Sequence, residues 1–400
     1  MQTRSLPRLA VPVAQSFVAV AAAMYFIDLH QQTHDHLTNG LGRPLGDDFI
    51  NFWSGAFLAW HGRVSEIYDV IAFHVFEQQV AGATLNGYHF SYPPALFLLT
   101  APLALIPYVP ALVLWLTASW YAFYRALRLA LPSGGSVLFA LATPAVLINA
   151  VAGQNGAWTA ALFGGGLGLI ERKPLIAGGL LGLLVYKPQL GILIPIALLA
   201  GRHWRAFAAA TIVACTLVAL SALIFGAEIW GEYVRNLAVL RTVILEDGSN
   251  VWHRFVSVFV AARRLGATTE DAYLIQGAAA VVACVAVALV WSRDLPQGVK
   301  NAVLVLGTCL ATPYLQDYDL VFGTLVVAWL WPEPLVATRS ELSLQIGAGL
   351  LLLLPIIAAL SAHITGLSFG PLFIVPIFVV ALQLSLHRVG SGYCAVTSLK

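Results

Sequence analysis

Charge is what this chain has least of. Asp, Glu, Lys and Arg make up 10% of 400 residues, where an ordinary globular domain carries about a quarter. Hydrophobic residues account for 59% and the mean hydropathy is +0.82, so a soluble globule is excluded. The net charge of +2 offers no basic field for nucleic acid, and no nucleic-acid partner is expected. The four cysteines, Cys215, Cys284, Cys309 and Cys394, stand singly without CxxC or metal spacing. They read as small packing residues rather than a redox or metal site. A nucleotide-binding loop is also lacking. Gly164-Gly165-Gly166-x-Gly168 lies inside an apolar run with no strand before it, where small residues serve close helix packing. His30-x3-His34-Asp35-His36 has ligand types at usable spacing, but no further cluster accompanies it. No metal and no cofactor are expected, and no Ser-His-Asp arrangement can be argued from order alone.

What fills the chain instead is a series of apolar runs, at about 9–28, 94–130, 135–152, 156–170, 174–186, 188–200, 205–226, 271–291, 299–313, 318–331, 344–361 and 369–387. A crossing helix needs roughly 20 apolar residues. The series predicts an all-α polytopic integral membrane protein of about twelve transmembrane helices, one domain over 1–400. Pro107 and Pro110 divide the run 94–130 into a short entering helix and a full span. The first run could pass for a signal peptide, with AVAAA as a cleavage site, but it is long enough to be kept as an anchor. Basic residues orient the chain. With both ends inside, the inner loops hold Arg4, Arg8, Arg125, Arg128, Arg172, Lys173, Arg202, Arg205, Arg293, Lys300, Arg339, Arg388 and Lys400. Two long outer segments remain, a first loop over 29–93 and a second over 227–270. Among the short outer loops only Lys187 is basic.

That orientation, drawn from charge, gathers the polar signatures on one face. They are Asp47-Asp48, Tyr88 through Pro94, Gly153-Gln154-Asn155-Gly156, Tyr186-Lys187-Pro188-Gln189, Trp252-His253-Arg254 and Pro313 through Asp319. One polar side and one basic side suit an enzyme working at a single membrane surface; a transporter more often keeps polar groups at the midplane. After Asp47 and Asp48, the aromatics Phe49, Phe52, Trp53, Phe57 and Trp60 form one helical stripe, which predicts an amphipathic helix at the water–lipid boundary. Either acid can be an N-cap, and either can be a base facing a cleft. Lys187 can meet an anionic headgroup or simply snorkel from a helix end. Gln154-Asn155 can serve a phosphate or sugar, or form a tight turn. His253 and Arg254 can hold a phosphate or lie solvated. Asp317 and Asp319 can cap a helix or enter the site.

Taken in order, Asp48-Phe49, Gly62 through Tyr68-Asp69, Phe90-Ser91-Tyr92-Pro93-Pro94, Gly153-Gln154-Asn155-Gly156, Tyr186-Lys187-Pro188-Gln189, and Pro313 with Tyr318-Asp319 resemble the GT-C glycosyltransferases. Within them the pattern is similar to glycosyltransferase family 87, which includes polyprenyl-phosphate-mannose-dependent α-mannosyltransferases. The resemblance covers most of the first 330 residues. It implies a membrane hexosyltransferase in a bacterial cytoplasmic membrane with its site facing the periplasm or exterior. Such an enzyme takes a sugar, mannose by family, from a polyprenyl-phosphate donor to a lipid or glycan acceptor. The family's catalytic acid falls on Asp48, with Asp47 as the fallback. Inverting displacement then needs that base and a stabilised phosphate leaving group. Lys187, His253, Arg254, Gln154 and Asn155 are the candidates for the donor phosphate. His89, Tyr92, Gln189, Asp317 and Asp319, together with Tyr88, are the candidates for the acceptor cleft. A lipid-linked sugar flippase, or an oligosaccharide polymerase or ligase, is the alternative.

Overall fold

The computed structural model describes residues 10–34, 36–131, 135–248, 251–331 and 338–397, excepting the side chains of 10, 135–136, 338–341 and 386–397. Arg4, Arg8, Asp35, Ser249, Asn250, Glu333 and Lys400 lie outside the described residues, as do the side chains of Arg339, Glu341, Arg388 and Cys394. The described chain is helical, and its only β pairings are isolated bridges, Thr38 with Pro44 and Phe255 with Gln316.

In order come α1 (Ala10–Gln31), α2 (Phe49–Trp60), α3 (Val70–Ala81), α4 (Ala95–Leu99), α5 (Tyr108–Ala130), α6 (Gly135–Ala142) and α7 (Pro144–Val151). They are followed by α8 (Gly156–Leu169), α9 (Pro174–Gly182), α10 (Pro188–Gly191), α11 (Ile194–Ala200), α12 (Trp204–Phe225) and α13 (Glu228–Leu240). The remainder is α14 (Val258–Arg264), α15 (Thr269–Trp291), α16 (Gln297–Ala311), α17 (Val321–Leu330), α18 (Thr338–Thr365) and α19 (Gly370–Thr397). The principal packing pairs are α5 with α8, α9 with α12, α15 with α16, and α18 with α19. Every residue of α17 is buried, so it forms the axis of the bundle.

Four helices are long and apolar enough to cross a membrane: Val11–Gln31, Trp204–Phe225, Thr269–Trp291 and Leu342–Thr365. Several runs expected to cross singly fold shorter. Pro188 and Pro195 break one run into pieces, α8 has 14 residues, and α17 has 10. Proline removes a backbone donor and crowds the preceding turn, so an apolar run is not by itself a span.

One expectation is overturned. The α2 stripe does not float on a lipid boundary, because ten of the twelve residues in α2 are buried. Phe49 lies 5.3 Å from Tyr108, Phe52 4.9 Å from Trp115 and Phe57 5.6 Å from Phe76, ring centre to ring centre. The opposite face, with Asn51, Ser54, Gly55 and Leu58, is buried too. A helix buried on both faces is an interior helix, and the aromatics are its packing.

Candidate active site

The site is built where three loops are pressed together. The turn before α2 puts Asp47 in the left-handed region (φ +47°) and Asp48 in the N-cap position. Asp48 makes no capping bond with its side chain. Asp69, at the start of α3, shows what capping looks like: its Oδ1 accepts from the amides of Ile71 and Ala72 at 2.9 and 3.0 Å. The Asp48 amide is bound instead to the Ala152 carbonyl at 3.2 Å, tying the turn to the loop between α7 and α8. Two glycines make this contact close. A Cβ on Gly153 (φ +56°) would collide with the Gly46 carbonyl oxygen, and one on Gly156 with that of Tyr318. Glycine is needed here because other backbones approach to touching distance. Gln154, between them, is aimed at Asp48.

The third loop arrives from the C-terminal half. Phe255 bridges Gln316, and the Val256 amide donates to Leu315 at 3.0 Å. This register places Arg254 between two acids: Nη1 reaches Asp48 Oδ2 at 3.2 Å and Nε reaches Asp317 Oδ1 at 3.4 Å. Gln154 Nε2 donates to the same Asp48 Oδ2 at 2.8 Å, and Gln154 Oε1 accepts from Tyr92 at 3.3 Å. Asp48 Oδ2 is therefore held twice, while Oδ1 has no hydrogen-bond partner among the described residues. The side chain is one-fifth exposed and lines a cavity of about 390 Å³. Asp47 differs. Its Oδ1 accepts from Tyr88 at 2.6 Å and its Oδ2 from Arg43 at 3.3 Å, so both oxygens are taken.

Electrostatics follow from this packing. Burial and then the adjacent Asp47 charge lift the Asp48 carboxyl to about 6, against the opposing pull of Arg254 and Gln154. Burial likewise raises Asp317 despite Arg254. Burial disfavours the charge on Arg254, but Asp317, Asp48 and Asp47 outweigh it and hold the guanidinium firmly charged. A carboxylate that accepts a proton near neutrality, with one oxygen open to a cavity, can act as a general base.

A model of glycosyltransferase family 87 matches residues 90–313, more than half of the chain. The chain belongs to glycosyltransferase family 87. It is therefore a membrane glycosyltransferase, consistent with the crossing helices. No curated protein and no solved structure matches it. The match includes Tyr92, Gln154, Lys187 and Arg254, whereas Asp47, Asp48, Asp317 and Asp319 lie outside its bounds.

Of the residues singled out in this family member, Asp47, Asp48, His89, Tyr92, Gln154, His253 and Arg254 all line the 390 Å³ cavity. The His253 ring stacks on His363 of α18 at 5.0 Å, and burial, then His74, lowers the basicity of His89. Lys187, Gln189 and Asp319 line a second chamber of about 250 Å³, which shares Ser91, Tyr92, Ile244, Gln316 and Tyr318 with the first. Lys187 does not present a spare cation there. It is 3% exposed and bonded to Asp319 Oδ1 at 2.5 Å and Asn155 Oδ1 at 3.0 Å. Asp319 Oδ2 accepts from the Gln316 amide in a capping box, so Asp319 both caps and pairs. Asn155 stands behind the cavity, holding Lys187, and Asp317 does so behind Arg254. Lone sequence positions did not disclose Arg43 or Asn51, nor the roles of Gln316 and Tyr318. The Tyr318 ring lies under both cations, 4.8 Å from Lys187 Nζ and 5.2 Å from the Arg254 guanidinium carbon. Its place in the run Gln316-Asp317-Tyr318-Asp319 was the available signal.

Proposed function

We propose that this enzyme transfers one hexose, mannose by family resemblance, from a polyprenyl-phosphate donor to an alcohol of a lipid or glycan. The transfer takes place at the outer face of the cytoplasmic membrane, by inversion, with Asp48 as base. The observation that carries the reading is the asymmetry of Asp48, whose Oδ2 is pinned by Gln154 and Arg254 while Oδ1 is open. In the reaction the acceptor hydroxyl oxygen bonds to C1 of the sugar and its proton passes to Asp48 Oδ1. The bond from C1 to the phosphate oxygen breaks, and polyprenyl phosphate leaves with that electron pair. As Asp48 becomes neutral, its hold on Arg254 weakens and the guanidinium can turn its charge to the leaving phosphate. A retaining route needs a second carboxylate as nucleophile. Asp47 has both oxygens bonded, and Asp317 is 5% exposed and does not line the cavity.

An isoprenoid chain fits what lies beside the site. An apolar groove of about 350 Å³, with Leu96, Leu99, Leu103, Trp158 and Leu183 in its walls, shares Tyr186 with the second chamber. About twelve crossings with both termini inside belong to the same proposal. The test is incubation of the purified protein with a panel of polyprenyl-phosphate sugars and alkyl glycoside acceptors. Sugar transfer with inverted anomeric configuration is expected. Transfer from a nucleotide sugar, or a retained configuration, would contradict the reading.

A further inference from the structure

A chain of charges runs from the end of α1 into the site. Arg43 Nη1 donates to Asp28 Oδ1 at 2.6 Å and its Nε donates to Asp47 Oδ2 at 3.3 Å. Gln32 completes a second strand of the same clasp, donating to Asp28 Oδ2 at 2.9 Å and accepting from the Gly46 amide at 3.0 Å. The helix α1 is otherwise little buried, so these polar bonds are its firmest hold on the catalytic turn. Asp47 needs such a hold. It is a non-glycine residue at φ +47° with its carboxylate next to that of Asp48, and both features cost free energy unless they are compensated.

We propose that Arg43, clamped between Asp28 and Asp47, is a positioning residue. It neutralises and fixes Asp47 so that the proton of the acceptor hydroxyl goes to Asp48. The proposal rests on the reading of Asp48 as base. Two guanidiniums then serve four acids: Arg254 bonds Asp48 and Asp317, and Arg43 bonds Asp47 and Asp28, of which only Asp47 and Asp48 line the cavity. Asp48 is faced besides by Gln154, Tyr88, Tyr92 and Tyr318. The Asp48 charge in turn adds to burial in raising the Glu77 carboxyl of α3. His89 and His253 lie on the same cavity wall. Removing the Arg43 charge leaves Asp47 uncompensated, and its field raises the proton affinity of Asp48. Removing the Asp47 charge does the reverse.

The experiment measures release of polyprenyl phosphate from polyprenyl-phosphate mannose by the full-length protein, with octyl α-mannoside as acceptor, from pH 5 to 9. In Arg43→Met the acid limb of the rate should move upward by about one unit, a loss of up to about tenfold below it with recovery at high pH. In Asp47→Asn the limb should move downward. Arg43→Lys should resemble the wild type, and Arg43→Met/Asp47→Asn should return the limb toward the wild-type position. Limbs that coincide in all variants, with rates lowered equally at every pH, would overturn the proposal and leave Arg43 a structural tie. Asp47→Asn keeps the test alive where Arg43→Met does not fold. An acid limb that survives unchanged in Asp48→Asn would sink the assignment of the base, and this inference with it. A wild-type limb lost in Asp48→Asn but unmoved in the Arg43 variants would sink this inference alone.

Discussion

Two acid–base pairs share the Tyr318 ring and have opposite characters. In the first, Asp48 and Arg254 are each about one-fifth exposed, the contact is 3.2 Å, and one carboxylate oxygen is unbound. In the second, Lys187 and Asp319 are 3% and 1% exposed, and every oxygen of Asp319 is engaged. The residue types are nearly the same, but the geometry assigns different work. An open pair on a cavity can exchange a proton and release a cation toward a new anion. A closed, buried pair can do neither, and it fixes the segments of Lys187, Asn155 and Asp319 to one another. A charge in a membrane protein is thus informative only once its partners are counted.

The largest effect expected from breaking this contrast is at the open pair. Asp48→Asn keeps shape and removes the base, and transfer should fall on the order of a hundred- to ten-thousand-fold with the melting temperature little changed. A thermal scan on the same preparation separates chemistry from folding. Arg254→Gln should come next, lowering turnover by about a hundredfold or more because the leaving phosphate loses its cation. At the closed pair the readout inverts. Lys187→Met strands Asp319 and should destabilise the protein by roughly 3–5 kcal/mol, whereas Lys187→Met with Asp319→Leu should recover most of that. Full stability in the single variant would show that the pair is not structural. The smallest change chemically, Gly153→Ala, should loosen the contact with Gly46 and lower turnover several-fold while Lys187 and Asp319 stay paired. Wild-type activity there would refute the argument that close approach aims Gln154.

Much of this site was legible in the sequence as a set of short motifs sharing one face. Asp48, Tyr92, Gln154, His253 and Arg254 do meet at a single cavity. The motifs were readable because loop polar residues in an apolar chain have few other reasons to be there. Partners were not readable, since a lone lysine at a helix end carries no mark of the carboxylate 132 residues away that binds it. The same limit hid Arg43, whose two acids are local but whose use depends on how the turn folds. The burial of α2 was missed for another reason. The aromatic stripe drew attention to one face, while the other, with Asn51, Ser54, Gly55 and Leu58, is buried as well and gives no periodic signal of it. Apolar runs overstated helix length where Pro188 and Pro195 interrupt them.

The central claim is that Asp48 takes the proton, and the pH dependence of kcat/KM in the wild-type enzyme tests it most directly. Asp48 binds its proton at about 6 because burial and Asp47 disfavour its charge, so the base is lost as pH falls through that value and is fully present above it. The account predicts an acid limb near pH 6 that disappears, together with the activity, in Asp48→Asn. A rate that stays level from pH 5 to 8 would contradict it.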